Sequence, residues 1–293
     1  MWIWLVLLYG LLKGCREICK KKALKTSPSI EVLLIYTCVS FLLVVPDFKN
    51  ALGMETRFYF FIAIKSFVIF LAWILSFIAI RNLPLSMYGV LDLSRVLFST
   101  LVGVCVLNEH LGTLQTFGLI LVCGGLLLLK FKPKARLDQS SRYPENIQKI
   151  EKKYSAAIIV VALISCILNS VSGLMDKLLT RYISSSQLQF WYMLFLSLFY
   201  IAYALCMREK INIKRAVKNR WIWLLSIMFV IADRALFIAN ADPGSRVTVM
   251  TLIKQAGSVV TILAGKFVFK EKNISHKLIC AAIIIAGIML GVL

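Results

Sequence analysis

The sequence predicts an all-α membrane protein of ten transmembrane helices, arranged as two inverted five-helix repeats. Three observations carry that prediction. The 293 residues are 60% hydrophobic with a mean hydropathy of +0.83, whereas soluble domains are roughly 45–50% apolar. Apolar runs separated by charged or turn-forming residues recur along the chain, each close to the ~20 residues that cross a bilayer as a helix. The longest polar stretch, 131–153 (FKPKARLDQSSRYPENIQKIEKK), has two prolines and no apolar run, and it leaves five runs on either side. Backbone groups in lipid must be satisfied internally, so the runs are helices, and the alternating segments of a barrel are absent.

The first span, 2–22, opens as MWIWLVLLYGLL. It lacks a basic leader and a small-residue cleavage site, so it reads as a span and not as a signal peptide. It is apolar only to Leu12. Lys13, Arg16, Glu17 and Lys20 then follow on one helical stripe. About a dozen residues do not cross a bilayer, so Arg16 and Glu17 are expected inside the membrane, facing a cavity or the charges of other spans. The second and third spans fall at 29–46 and 58–80, with Lys65 in the third. The fourth, 84–107, begins after Pro84 and is the stretch around which the rest is arranged. Tyr88, Asp92, Arg95 and Ser99 share one of its faces. A charge at mid-bilayer costs at least about 2.5–3.5 kcal/mol, so this face must point at protein or water. The fifth span, 111–130, carries Gly118, Gly124 and Gly125.

The polar stretch 131–153 reads as a linker between residues 1–130 and 154–293, with a short amphipathic segment near Ile147–Ile150. Spans follow at 154–175, 186–207 and 221–241. Asp233 and Arg234 are neighbours in the last of these and point about 100° apart, so each is expected to meet a different helix. The ninth and tenth spans are 244–268 and 274–292. Gly287 and Gly291 form a small-xxx-small pair, suited to packing in the bundle or to a homodimer contact.

The chain reads as one unit written twice. With Pro84 placed on Pro243, Arg95 falls on Lys254, Asp92 on Thr251 and Ser99 on Ser258, and Glu109 and Glu271 close the two spans. Farther upstream, Ser29 meets Ser185, Glu31 meets Gln187 and Tyr36 meets Tyr192. Five is odd, so the second copy enters the membrane in the opposite sense. Such repeats place a site near midplane at their interface.

A duplicated five-span unit with Pro84 and Pro243 opening the fourth span of each copy, glutamates closing it and glycines in the fifth resembles the drug/metabolite transporter superfamily, in particular its EamA-type members. The resemblance implies a secondary transporter of small organic solutes with a central cavity lined by the inner spans. It also implies both termini in the cytoplasm, and here the charge pattern departs from it. Odd connections carry 22 Lys and Arg against 4 in even ones, so the positive-inside rule puts odd connections in the cytoplasm and the termini outside a plasma (cytoplasmic) membrane.

The net charge of +20 collects in these loops, which fits anionic headgroups and no nucleic acid. The eight cysteines are expected to be small buried apolar residues; Cys15 and Cys19 alone make a poor zinc site. No P-loop, nucleotide fingerprint or metal cluster is present, so neither an enzyme nor a cofactor is expected. The inner charges are Arg16, Lys65, Arg95, Arg234 and Lys254 against Glu17, Asp92 and Asp233. Their cationic excess points to a visiting carboxylate or phosphate on an anionic or zwitterionic metabolite. Tyr88, Ser99, Thr251, Gln255 and Ser258 are candidate hydrogen-bond partners. Glu17, Asp92 or Asp233 are candidates for proton coupling. The competing readings are a flippase for a lipid-linked head group, which needs a cavity open to lipid, and a non-transporting receptor or assembly factor, which needs a dry, fully paired network.

Overall fold

A computed structural model describes residues 2–99, 112–130, 145–208, 211–242, 244–245, 250, 253–271 and 274–290. Cys105, Glu109, His110, residues 131–144, Pro243, Arg246, Thr251 and Gly291 lie outside them. The described residues are helical, with no strand among them. Among the described residues, five helices are long and apolar enough to cross a membrane. Their outer faces leave Leu42, Phe60 and Leu205 exposed, as lipid-facing positions require.

Helix α1 (Trp2–Ala23) runs unbroken through its charged stripe. Pro28 then precedes α2 (Ser29–Val44), which ends in a 3-10 turn, Val45–Ala51. Helix α3 (Thr56–Asn82) leads to Pro84 and α4 (Leu85–Asp92). Here the structure corrects the continuous fourth span. The helix breaks at Leu93, where i→i+3 bonds replace the α ladder, and residues 94–99 resume it. Helix α5 is Thr113–Lys130, and α6 is Glu145–Leu179. The latter begins well before the expected span, so the last part of the polar stretch is helix and not a separate segment. Ser184 and Gln187 form a reciprocal capping box at the start of α7 (Ser185–Cys206). A short helix, α8 (Ile213–Lys218), occupies the next connection, before α9 (Arg220–Ala241). A turn at Gln255 separates helical residues 253–254 from α10 (Ala256–Phe267), and α11 (Ile274–Leu290) follows.

The packing comes in matched pairs. Helix α1 lies along α9, and α3 lies along α6; α3 meets α7, and α2 meets α9; α1 meets α10, and α6 meets α4. Ser66 Oγ donates to Tyr192 O at 3.4 Å, and Ser226 Oγ donates to Tyr36 O at 3.1 Å. Lys21 Nζ donates to Ile80 O and Leu83 O, both at 2.5 Å, at the end of α3. Lys177 Nζ donates to Asn240 O at 2.7 Å at the end of α9. Glu31 accepts Arg215 Nε at 3.0 Å and Asn212 N at 3.2 Å from the α7–α9 connection, while Gln187 Nε2 donates to Leu52 O at 3.0 Å in the α2–α3 connection.

The α1–α10 seam is closed by glycines. A Cβ on Gly257 would stand 2.4 Å from Gly10 O, and one on Gly14 would stand 2.6 Å from Gly257 O. The two backbones therefore touch where a larger residue would hold them apart. Gly287 is likewise filled from within the chain, since a Cβ there would lie 2.7 Å from Gly118 O of α5. The expectation that the cysteines are buried fails in part: Cys15, Cys123 and Cys206 are exposed on outer faces, where an apolar thiol meets lipid without cost.

Glu271, just beyond α10, caps α4 from a distance. It accepts Leu85 N at 2.6 Å and Ser86 N at 3.1 Å, also accepts Ser86 Oγ, and pairs with Lys277. The first amides of a helix have no intrahelical acceptor, and an anion there is favoured. Burial pushes the Glu271 carboxyl up, but the bonds from Ser86 and Leu85 together with the Lys277 charge outweigh it and hold it below the usual carboxylate range. The stabilisation is therefore full above the ordinary glutamate pKa of about 4.3 and is lost as pH falls through the lower folded value. Glu271→Gln is expected to melt below wild type at pH 7, and the gap should close on acidification. A gap that widens as pH falls in detergent-solubilised protein would contradict this.

Candidate functional site

A cavity of about 150 Å³ lies at the centre, between α1, α3, α6 and α9, with residues 94–99 and the segment before α10 on its remaining side. The stripe predicted on α1 faces it. Lys13, Arg16, Glu17 and Lys20 are all buried. They survive in an apolar bundle because other helices bring counter-charges to them.

Asp92, 3% exposed at the end of α4, is the most heavily used of these. Its Oδ2 accepts Lys13 Nζ at 2.5 Å and Ser258 Oγ at 2.9 Å, and Ser258 Oγ also lies 3.2 Å from Gln255 Oε1. Asp92 Oδ1 is 2.5 Å from Arg95 Nε, a charge contact without the alignment of a hydrogen bond. Arg16 meets Asp233 at 3.2 Å, Lys20 meets Glu17 at 2.7 Å and Lys65 meets Asp176 at 2.9 Å. Aromatic faces add to the solvation that the cations lose: Lys65 Nζ sits 3.1 Å from the Tyr192 ring centroid, and Arg16 sits over Phe229 at 5.2 Å and Tyr9 at 5.7 Å.

Most of the residues singled out from the sequence come together here. Arg16, Glu17, Lys65, Arg95, Ser99, Asp233, Lys254 and Gln255 line the cavity. Tyr88, Asp92 and Ser258 stand behind its wall, with Tyr88 Oη 2.7 Å from Ser76 Oγ. Arg234 is not brought in. It turns to an outward-facing groove, where it pairs with Asp47 and donates to Ser186 Oγ at 2.9 Å. Thr251 is outside the described residues. Lys254 makes no ion pair among the described residues and lies 5.8 Å from the Tyr9 ring centroid.

The sequence reading missed several participants. Lys13 and Lys20 lie on the same stripe as Arg16 and Glu17, and helical spacing does not separate their roles. Asp176, just past the expected end of the sixth span at 154–175, is the counter-ion of Lys65. Tyr9, Trp73 and Tyr192 line the cavity with no signal that separates them from packing aromatics. Among the described residues no group of His, Cys, Asp or Glu is arranged to hold a metal.

Apolar helices around a buried, charged, partly open centre define a multi-pass membrane protein with an internal polar site. The profile of the EamA-like transporter family matches residues 1–131. Over that part the chain is similar to that family, which belongs to the drug/metabolite transporter superfamily. None of the curated protein sequences matches. A solved structure described only as "Crystal structure of protein" is similar at a TM-score of 0.67 and 13% identity, covering 99% of this chain and 95% of that one. A likeness at that identity concerns the fold alone.

The geometry makes Asp92 the residue whose loss is felt most. Asp92→Asn removes the counter-charge of both Lys13 and Arg95 and is expected to destabilise the protein by about 3–5 kcal/mol, the range for breaking a buried pair from one side. Adding Lys13→Met should recover part of that loss. Equal melting temperatures for wild type and Asp92→Asn in detergent would contradict it.

Proposed function

We propose that this protein is a secondary transporter that carries a small anionic or zwitterionic metabolite by alternating access at the central cavity. The observation that carries the reading is the cavity itself, with Arg95 and Lys254 on its wall and more cations than carboxylates around it. A second support is the break in each inner helix beside these cations, at Leu93 and at Gln255. Interrupted helices at a repeat interface are how transporters present backbone and charge to a solute.

Ten spans in two inverted repeats, 1–130 and 154–293, are part of this proposal. The matched packing supports it, because exchanging α1 with α6, α2 with α7, α3 with α9 and α4 with α10 carries the most extensive of these contacts onto one another. Lys21 and Lys177, Tyr36 and Tyr192, and Glu31 and Gln187 then occupy equivalent places. The runner-up, a flippase, has less support: the groove at Arg234 that faces outward has a different lining from the central cavity.

A thermal-shift screen of purified protein against anionic, zwitterionic and cationic metabolites tests the reading, since a ligand of the folded state raises its stability. Anions or zwitterions should give the shifts. Arg95→Gln and Lys254→Gln should each weaken the hit by about 2–5 kcal/mol, as for truncation of a buried charge contact, while remaining folded. Shifts from cations alone, or wild-type affinity by calorimetry in both folded variants, count against it.

The proposed orientation puts odd connections, including 131–153 and 208–220, in the cytoplasm. Single cysteines introduced there, in a cysteine-free background, should resist an impermeant thiol reagent added to intact cells. Rapid labelling of the 131–153 connection would reverse the orientation.

A further inference from the structure

The cavity holds more positive charge than its walls answer. Lys177 is set aside, since carbonyls of Asn240 and Ser245 hold it at the rim. Six cationic side chains then line the cavity among the described residues, and four carboxylates face them. The shortfall has an address. Asp92 must serve Lys13 and Arg95 together, and Lys254 pairs with no carboxylate among the described residues. Among the described residues, Arg16 Nε and Glu17 Oε2 also lack a hydrogen-bond partner, on residues only 6% and 5% exposed. Buried polar atoms are normally partnered and buried charges compensated, so four groups in one cavity await the same visitor.

We infer that the ligand is a small dianion that also carries a hydrogen-bond donor, with negatively charged oxygens at both Lys254 and Arg95 and the donor at Glu17 Oε2. A hydroxylated dicarboxylate or a hydroxylated phosphate monoester has this chemistry. The inference rests on the transport reading and narrows it from anions in general to doubly charged ones. An excess of two cations is neutralised by two negative charges and not by one. A planar guanidinium fork at Arg95 suits either a carboxylate or a phosphate, and the ammonium of Lys254 supplies a point charge. Glu17, already bound to Lys20 through Oε1, has Oε2 free to accept from a hydroxyl, which repels neither negative group. The cavity volume of about 150 Å³ is of the order that holds a benzene-sized molecule. The dianion is therefore short, with a skeleton of a few carbons, and a nucleotide is too large for this state.

The test uses matched probes that differ by one charge, on the full chain in detergent or nanodiscs. Butanedioate and its hydroxylated form are compared with their monoamides, and glycerol phosphate is compared with its monomethyl phosphodiester. Calorimetry should show the dianion binding at least tenfold tighter than its monoanionic partner in at least one pair. The hydroxylated dicarboxylate should bind tighter than the plain one. Lys254→Met should bring the dianion-to-monoanion ratio close to one, and Glu17→Gln should remove the advantage of the hydroxyl. The wild-type comparison needs no variant. A second readout on wild type alone is pH: the phosphate monoester should bind more weakly as pH drops below its second ionisation near 6, while its diester should not. Monoanions that bind as tightly as dianions in every pair overturn the inference and leave the anion-transport reading standing. If no anion of either charge binds, both readings fall.

Discussion

Asp92 holds together segments that arrive from distant parts of the chain: Lys13 from α1, Arg95 from residues 94–99 and Ser258 from α10. In an apolar bundle each of these cations alone would be too expensive to bury, and the carboxylate alone would be as well. Together they fix where α1, α4 and α10 meet. The break at Leu93 belongs to the same arrangement. It ends α4 at the carboxylate and starts the next segment before the guanidinium, so the pair three residues apart spans the discontinuity and bridges it. Irregular backbone at such a place is tolerated where it borders protein or a water-filled space, which is what the cavity provides.

Packing and electrostatics divide the labour around this point. On one flank α1 touches α10 backbone to backbone through Gly10, Gly14 and Gly257. On the other, α6 meets α4 and the segment after it: Cys166 Sγ lies 3.7 Å from Leu91 O, and Ser170 Oγ donates to Arg95 O at 3.1 Å. One seam is tight and dry, and the other is polar. Beyond them a cluster of rings closes the core: Tyr36 stacks on Trp73 at 5.4 Å, and both contact Phe229. Arg16 and Lys20 lie over members of this cluster and its neighbour Phe77, so their stems are packed and their charges face aromatic surface.

Much of this was legible from spacing alone. A stripe of Lys13, Arg16, Glu17 and Lys20 on an otherwise apolar start announces a buried polar face, because no apolar span is long enough without it. The shared face of Tyr88, Asp92, Arg95 and Ser99 is equally plain at helical spacing. The partners were not legible. Which carboxylate answers which cation depends on helix order, and Asp176 with Lys65 or Asp233 with Arg16 are separated by many turns of unrelated sequence. Arg234 shows the limit most clearly. Mid-span position marks it as costly, but only the 3-10 turn after α2, which brings up Asp47, decides that the side chain faces away from the centre. The breaks at Leu93 and Gln255 also had no signature, since neither residue is Gly or Pro and both stretches keep good helix formers.

The clasps formed by Glu31 and Gln187 sit at aligned positions, yet they differ in kind. Glu31 grips Arg215, whose side chain is 44% exposed, whereas Gln187 grips the neutral carbonyl of Leu52. Dissolved ions reach the Arg215 side of the first contact and weaken it in part, since Glu31 is buried, and do almost nothing to the second. Two ends of the molecule at aligned positions in the sequence thus answer unequally to ionic strength. The saltier the surrounding fluid, the looser the connection carrying α8 becomes relative to its counterpart between α2 and α3.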